Sequence, residues 1–390
     1  MMRSNVYASL EFGTHSIKLL VSEFFNEKQN ILFIDEQVTS GIQIGQVVDN
    51  GRVYNDLKKL IVKCEDFLAA KIRAVVLMLP SINLTTKTVN YNITISENQV
   101  TGKHLKSMFN KVYEQESKLS DKKGEIASIY PNSFAVSKTK KHLDNPIGEA
   151  TREIFANLEL AYVNQKLIFD FISIIEQLGI EVIDIMPSVI GYKRSLLTKD
   201  EMQDHICVVD IGANTTTITI FYNQVIHSSE TFKIGVKPIT DELMEKLGLN
   251  FEDAEDLKIT HGNAIVKGTN DEIVYEQRQQ DGSITYITSE FVANIVEEKY
   301  LQIIRVIKRH LLEVGLKNRI HKFILIGGGV AIENFEKLFK NNFGENAAIR
   351  SPNLIGTRHP KYSSIISAQY NILYFEQLFA ERYEMVVLKK

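Results

Sequence analysis

Apolar and polar positions along the chain follow an order that is used twice. Residues 6–12, 17–25 and 30–38 read as three successive strands, two of them forming a hairpin around Gly13. The stretch NDLKKLIVKCEDFLAAK (55–71) has apolar residues at helical spacing, and AVVLMLP (74–80) is a short apolar run that reads as a buried strand ended by proline. The pattern then changes. Residues 84–95 alternate as an exposed strand, a polar amphipathic helix follows near 103–115, and a lysine-rich turn covers 118–123. Strands near 125–137 and 149–160 close a unit of about 80 residues that predicts a small α+β insertion with its own sheet. A helix over 164–178 and a strand over 180–186 resume the first pattern. At 205–234 the three-strand opening recurs as HICVVDI, TTTITIFY and QVIHSSETFKIG. Helices near 236–247 and 251–260, a hairpin near 273–288, a long helix from about 289 to 314, a strand at 322–329 and a helix over 330–341 complete the prediction. The pattern is that of two related α/β lobes, the first interrupted by the insertion.

The two openings can be laid over one another. YASLEFGTHSIKLLV (7–21) and CVVDIGANTTTITIF (207–221) place Glu11 on Asp210, Gly13 on Gly212 and Ser16 on Thr215. A strand carrying an acid, a tight glycine turn and then a hydroxyl residue makes a hairpin suited to phosphate. Glycine lets the backbone approach closely, and successive N–H groups and hydroxyls in the turn can cradle anionic oxygens. The candidate cradle residues are Glu11, Gly13, Thr14, His15 and Ser16 in the first turn. In the second they are Asp210, Gly212, Ala213, Asn214, Thr215 and Thr216. Lys18 can add a point charge to a phosphate. Glu11 and Asp210 stand where carboxylates could hold Mg²⁺ through its waters. A third element is ILIGGGVAI (324–332), whose Gly327, Gly328, Gly329 and Val330 let backbone lie flat against a ring or sugar. Each element alone is an ordinary turn; the three in this order are jointly specific, and two facing hairpins would grip a phosphate chain from both sides.

Composition narrows the function classes. At 390 residues the chain exceeds one ordinary core. A net charge of −3 supplies no basic field, so nucleic acid is not an expected partner. The two cysteines, Cys64 and Cys207, lie in apolar runs and imply no disulfide framework, which suits a reducing compartment. With no secretory apolar core at the N-terminus and no run of 18 apolar residues, the expected location is cytoplasmic.

The motif order is that of the actin-like ATPase superfamily, and within it the chain resembles the bacterial cell-division family FtsA. ITHGNA (259–264), preceded by FEDAEDLK, resembles an FtsA signature. NPIGEATREI (145–154) resembles the return of that family's inserted subdomain, PSVIGYKRSLL (187–197) its connecting helix, and ILIGGGVAIENFEKLF (324–339) its adenosine loop. The resemblance covers about residues 5–375. It implies a duplicated α/β, actin-like (ribonuclease H-like) fold with two lobes around an ATP cleft. The implied subdomains are 1A (1–83 and 164–203), the insertion 1C (84–163), 2A (204–240 and 316–360) and 2B with its helical flanks (241–315), with 361–390 as a C-terminal helix.

The resemblance further implies ATP and Mg²⁺ as ligands, polymerisation head to tail through 1C, and tethering of FtsZ filaments to the inner face of the membrane at the division site. The FtsZ tail would be bound through 2B and later division proteins through 1C. Glu298 and Lys299, in IVEEKY (295–300), stand where the superfamily places a charged pair over ribose and adenine; on a helix they could equally be solvated surface. The connecting helix offers only Ser188 where fast relatives orient the attacking water, so hydrolysis is expected to be slow. Phe375, Phe379, Tyr383, Val386 and Val387 can share a helical face beside Lys389 and Lys390, giving either a helix docked on 1A or a membrane tail, so that attachment to the membrane is direct or indirect. Two other readings of the same fold stay open: a small-molecule kinase or phosphatase, and a pilus-assembly adaptor related to FtsA.

Overall fold

The computed structural model describes residues 5–25, 28–119, 124–136, 142–278 and 283–388. Lys122 and Lys123 of the lysine-rich turn, and Lys389 and Lys390, lie outside the described residues. The chain opens on an antiparallel meander of β1 (Asn5–Phe12), β2 (Ser16–Phe25) and β3 (Lys28–Val38). Two short strands, β4 (Ile42–Gln43) and β5 (Gln46–Val47), lead into helix α1 (Asn50–Leu68). Asp49 starts α1 by accepting a hydrogen bond from the Arg52 N–H, and Ala69 ends it in the left-handed conformation. Strands β6 (Ala70–Ile72) and β7 (Ala74–Leu79) follow. Every residue of β7 is buried because the strand lies between β1 and a later parallel neighbour, which explains its unbroken apolar run.

The insertion consists of β8 (Thr85–Thr94), α2 (Gly102–Ser117), β9 (Glu125–Val136) and β10 (Glu153–Val163). Its sheet has the order β8-β10-β9, and α2 packs Leu105, Met108, Phe109 and Val112 onto one face. Helix α3 (Gln165–Glu176), strand β11 (Glu181–Pro187) and helix α4 (Ser188–Ser195) complete the first lobe.

The second lobe begins with another antiparallel meander, β12 (Ile206–Ile211), β13 (Thr216–Tyr222) and β14 (Val225–Phe232). Then come α5 (Lys237–Leu247), α6 (Phe251–His261), the hairpin β15 (Ile273–Arg278) and β16 (Ile284–Thr288), and the long α7 (Ser289–Glu313). Strand β17 (Lys322–Ile326), helix α8 (Phe335–Phe343) and strand β18 (Ala347–Ile349) finish its sheet. The helix expected over 330–341 begins later, because Gly328, Gly329 and Val330 form a 3₁₀ turn ahead of it.

The two large sheets have matching topology. The first has the order β3-β2-β1-β7-β11 and the second β14-β13-β12-β17-β18, each a meander followed by parallel strands. Alternate residues of β12 serve different cores. Cys207, Val209 and Ile211 pack with the second lobe's helices, while Ile206 and Val208 join the core of the first.

The C-terminal segment departs from the sequence expectation. Helix α9 (Ser363–Phe379) ends at Ala380, which is left-handed, so Tyr383, Val386 and Val387 do not extend its face. Instead β19 (Val386–Leu388) pairs antiparallel with β6, and the buried Met385 accepts the Arg73 N–H at 2.8 Å through its carbonyl. Helix α9 itself is docked: Ile365, Ile366, Ala368 and Ile372 lie in the first lobe's core, and Tyr374 and Leu378 in that of the insertion. No helix among the described residues is long and apolar enough to cross a membrane.

An ion cluster fastens the segment after α4 to the second lobe. Arg350 donates to both carboxylate oxygens of Glu201, at 2.9 and 2.8 Å, and Lys322 adds a bond of 2.8 Å. These partners, Arg350 foremost, hold the Glu201 carboxyl well below the usual range against the opposing effect of burial. A depressed folded pKa stabilises above the unfolded value of about 4.3 and is lost as pH falls through the folded one. Glu201→Gln is therefore expected to lower stability by roughly 1–2 kcal/mol at pH 7. In thermal melts over a pH series, the gap to wild type should narrow below about pH 4.

Candidate functional site

The two matched turns close in the same way. The Gly13 N–H donates to the Ser16 carbonyl at 3.0 Å, and the Gly212 N–H to the Thr215 carbonyl at 2.8 Å. The registers correspond as well, pairing Glu11 with Lys18 on β1 and β2, and Asp210 with Thr217 on β12 and β13. The turns face one another directly: Asn214 donates through its backbone N–H to Thr14 Oγ1 at 3.3 Å and through Nδ2 to the Thr14 carbonyl at 3.0 Å. Between them lies a cavity of about 550 Å³.

Of the residues singled out in the sequence, Glu11, Gly13, Thr14, His15, Ser16, Lys18, Ser188, Asp210, Gly212, Ala213, Thr215, Gly327, Gly328 and Gly329 line this cavity. Five do not. Asn214 bridges the two turns. Thr216 is buried and donates to the Ile234 carbonyl, and Val330 is a core residue. Lys299 turns to Glu242 on α5 at 2.6 Å, and Glu298 is exposed. The residue of α7 that reaches the cavity is the next one, Tyr300, whose hydroxyl donates to the Gly329 carbonyl. Helical spacing separates 299 from 300 by about 100° around the axis, so a motif read one residue off selects the wrong face.

The floor of the cavity carries two carboxylates, each held by specific donors. Glu11 accepts from Lys18 Nζ at 2.9 Å and from Ser364 Oγ of α9 at 2.8 Å. Asp210 accepts from the hydroxyl of Tyr192, on α4, at 2.7 Å. Burial pushes Asp210 upward, with Tyr192 opposing and the nearby Glu11 reinforcing. Burial would lower Lys18, but Glu11 outweighs it and the ammonium stays charged. Among the described residues no cluster of three His, Cys, Asp or Glu side chains could hold a metal ion. The two carboxylates match a hydrated Mg²⁺ carried in on phosphates, which needs only one or two of them, rather than a metal caged by protein alone.

Several lining residues escaped the sequence reading. Lys361 pairs with Glu36 at 2.5 Å, and Ser16 Oγ donates to Glu36 at 2.9 Å. From α5 and α6 come Thr240, Glu255 and Lys258, which form a hydrogen-bonded triad with bonds of 2.6 to 3.0 Å. Phe251 lies 5.6 Å from the His15 ring, and burial lowers the His15 pKa. Phe251, Glu255 and Lys258 lie in FEDAEDLK, but nothing in that stretch marks them as cleft residues, and packing brings each of these side chains in. Ser188 Oγ lies 2.9 Å from Ser81 Oγ, and neither is an acid or an amide.

The signature ITHGNA has a visible structural role. A Cβ on Gly262 would come within 2.2 Å of the Lys258 carbonyl, and Ala264 N–H donates to the Glu333 carbonyl at 2.9 Å. The motif thus ties the end of α6 to the loop that follows the glycines.

A family model described as cell division protein FtsA matches residues 207–367. The chain is 24% identical to the cell division protein FtsA of Staphylococcus epidermidis over 383 residues, covering 97% of this chain and 81% of that protein. It is 23% identical to FtsA of Bacillus subtilis over 371 residues, covering 93% and 82%. Among solved structures it is similar to a chain of the PilM-PilN type IV pilus biogenesis complex, with TM-score 0.64 at 14% identity over 94% of this chain and 98% of that one. It is also similar to MreB5 of Spiroplasma citri bound to ADP, with TM-score 0.53 at 14% identity over 96% and 98%.

The glycine triplet gives a test of the site's construction. Gly327 has φ of +92°, and a Cβ there would lie 2.4 Å from Asp210 Oδ1, whereas the nearest atom to a Cβ on Gly328 is 3.7 Å away. Gly327→Ala is expected to destabilise by about 1–3 kcal/mol and Gly328→Ala by much less, as read by denaturant unfolding. The chain is thus similar in sequence to the cell division protein FtsA over nearly its whole length, and its matched sheets around one cleft have the actin-like fold.

Proposed function

We propose that the chain is an ATP-binding, actin-like protein of bacterial cell division. The observation that carries this is the pair of identically closed turns facing each other across a cavity of about 550 Å³, a size suited to a nucleotide. In this reading the turn N–H groups and the Thr14 and Thr215 hydroxyls take the phosphates. Gly327, Gly328 and Gly329 lie along the ribose and base. Glu11 and Asp210 would hold the waters of Mg²⁺, which when bound would supply neutralisation of phosphate charge. Lys18 leaves its bond with Glu11 in part to meet a phosphate oxygen. The MreB5 structure bound to ADP supports the reading through its similar fold. Hydrolysis is slow, because Ser188 can orient a water but not take its proton.

The cellular role follows the sequence relatives named as cell division proteins. The chain would associate with itself head to tail, bind the FtsZ tail through the region of α5 to α7, and act at the inner face of the membrane.

Gly212→Val tests the cleft. A Cβ at Gly212 meets its nearest neighbour, the Thr215 carbonyl, at 3.3 Å, so the turn can adjust while the branched side chain fills phosphate space. Binding of a fluorescent ATP analogue should fall by at least about tenfold, roughly 1.4 kcal/mol. Unchanged affinity in a folded variant would refute the assignment of this turn.

Self-assembly is tested on the outer face of the insertion sheet, where Phe155 is 42% exposed opposite Asn92 and Ala135. Phe155→Asp should leave ATP binding intact and reduce the polymer sedimented with ATP. Equal pelleting would mean that this face is not the assembly surface.

A further inference from the structure

Helices α4 and α9 cross in close contact. A Cβ on Gly191 would come within 2.3 Å of Ser367 Oγ, so only glycine allows this approach. Both helices touch the floor of the cleft at one end. Tyr192 of α4 donates to Asp210, which belongs to the second lobe, and Ser364 of α9 donates to Glu11 in the first. The second lobe also holds the far end of α4, through the Arg350 guanidinium on the Leu196 carbonyl. A change in the angle between the lobes must therefore move α4 or break these bonds.

The same helices enter the insertion. Lys193, adjacent to Tyr192, is buried and donates to Asn132 Oδ1 of β9 at 2.5 Å. Asn132 in turn donates to Asn157 Oδ1 of β10 at 2.8 Å and to Glu159 Oε2 at 3.3 Å. Asn157 donates to Asn90 Oδ1 of β8 at 2.7 Å, which completes a polar ladder across all three strands. Next to it the Arg194 guanidinium stacks 3.3 Å above the ring of Tyr374 on α9. Ser364 and Tyr374 are ten residues apart, so α9 spans about 15 Å between the two regions. Lys193 and Glu159 are both desolvated: burial brings Lys193 down to about 7 and pushes Glu159 up. The ladder runs from a buried end at Lys193, Asn132 and Glu159 to the exposed Asn90, and its buried end is costly unless the partners stay in register, which makes it sensitive to small displacements of α4.

We propose that the α4–α9 pair transmits occupancy of the cleft to the insertion sheet, with Tyr192 as the positioning residue at the cleft and Lys193 as the contact that moves the polar ladder. The inference rests on the nucleotide reading of the cleft. Any ligand that alters the Asp210–Tyr192 bond or the lobe angle then biases the arrangement of β8, β9 and β10, limited by its differential affinity for the two states.

The test is amide hydrogen exchange on the full chain, with and without ATP and magnesium. In wild type, ATP should slow exchange in residues 11–18 and 210–217, and also along β8 and β10 by about fivefold, the low end of ordinary coupling between sites. Lys193→Met should retain ATP protection at the two turns and lose it in the insertion. Asn132→Leu, which removes the acceptor of Lys193 on β9 and does not line the cleft, should do the same and decides the matter if Lys193→Met does not fold. A purely structural role would change exchange in the insertion equally with and without ATP. Protection confined to the turns in wild type, or undiminished insertion protection in a folded variant, would overturn the proposal while leaving the nucleotide reading intact. Absence of ATP protection at the turns themselves would overturn that reading and this one together.

Discussion

The structure turns on two carboxylates, Glu11 and Asp210, that meet from different lobes at the floor of one cavity. Like charges brought together away from water repel and lose hydration, so each must find donors or become protonated. The chain supplies the donors from distant places. Lys18 comes from the neighbouring strand, Tyr192 from the helix that connects the lobes, and Ser364 from the last helix. The fold is in this sense arranged around the acids. The connecting helix and the C-terminal helix both reach the floor of the cleft, and they cross tightly at Gly191.

The duplication explains the architecture, and its imperfections explain the chemistry. Matching meanders give matching turns with the same backbone closure. The cross-strand partner of the acid differs, however: Lys18 in the first lobe and Thr217 in the second. One carboxylate is thus charge-compensated within its own lobe. The other, Asp210, relies on a phenol from across the lobe boundary, and burial pushes its pKa up. A cation arriving with an anionic ligand would meet a compensated acid on one side and an undercompensated one on the other.

The lobes, the insertion and the three glycine elements were legible in the sequence because each leaves a local signal: strand alternation, helical spacing, or a turn that only glycine permits. The strands of both meanders fall within three residues of their expected positions. What was not legible depends on packing at long range. Glu255 and Lys258 in FEDAEDLK, Tyr192 in PSVIGYKRSLL, and Lys361 reach the floor or walls of the cleft, but nothing in those stretches marks these positions as the ones that do. Lys299 was a fair candidate by family position, but the helix phase turns it to Glu242 and gives the cavity to Tyr300. The tail after Ala380 misled the helical reading because Tyr383, Val386 and Val387 suit a strand as well as a helix. The free edge of β6 selects the strand.

The insertion has less independence than its sequence suggests. A self-contained module would cover its sheet with its own helix. Here α2 covers only part of that face, and Tyr374 and Leu378 of α9 enter the same core, while Phe375 and Phe379 pack edge-on against Phe109. On the other face Lys193 and Arg194 of α4 contact Asn132 and Tyr130. The sheet is therefore held on both sides by helices that also touch the acids of the cleft. The usual expectation for an inserted domain, a polar interface and free relative motion, does not apply where apolar burial and desolvated polar contacts hold opposite faces. Displacing α4 or α9 from the sheet would uncover part of this shared core, at about 25 cal/mol for each Å² of apolar surface returned to water.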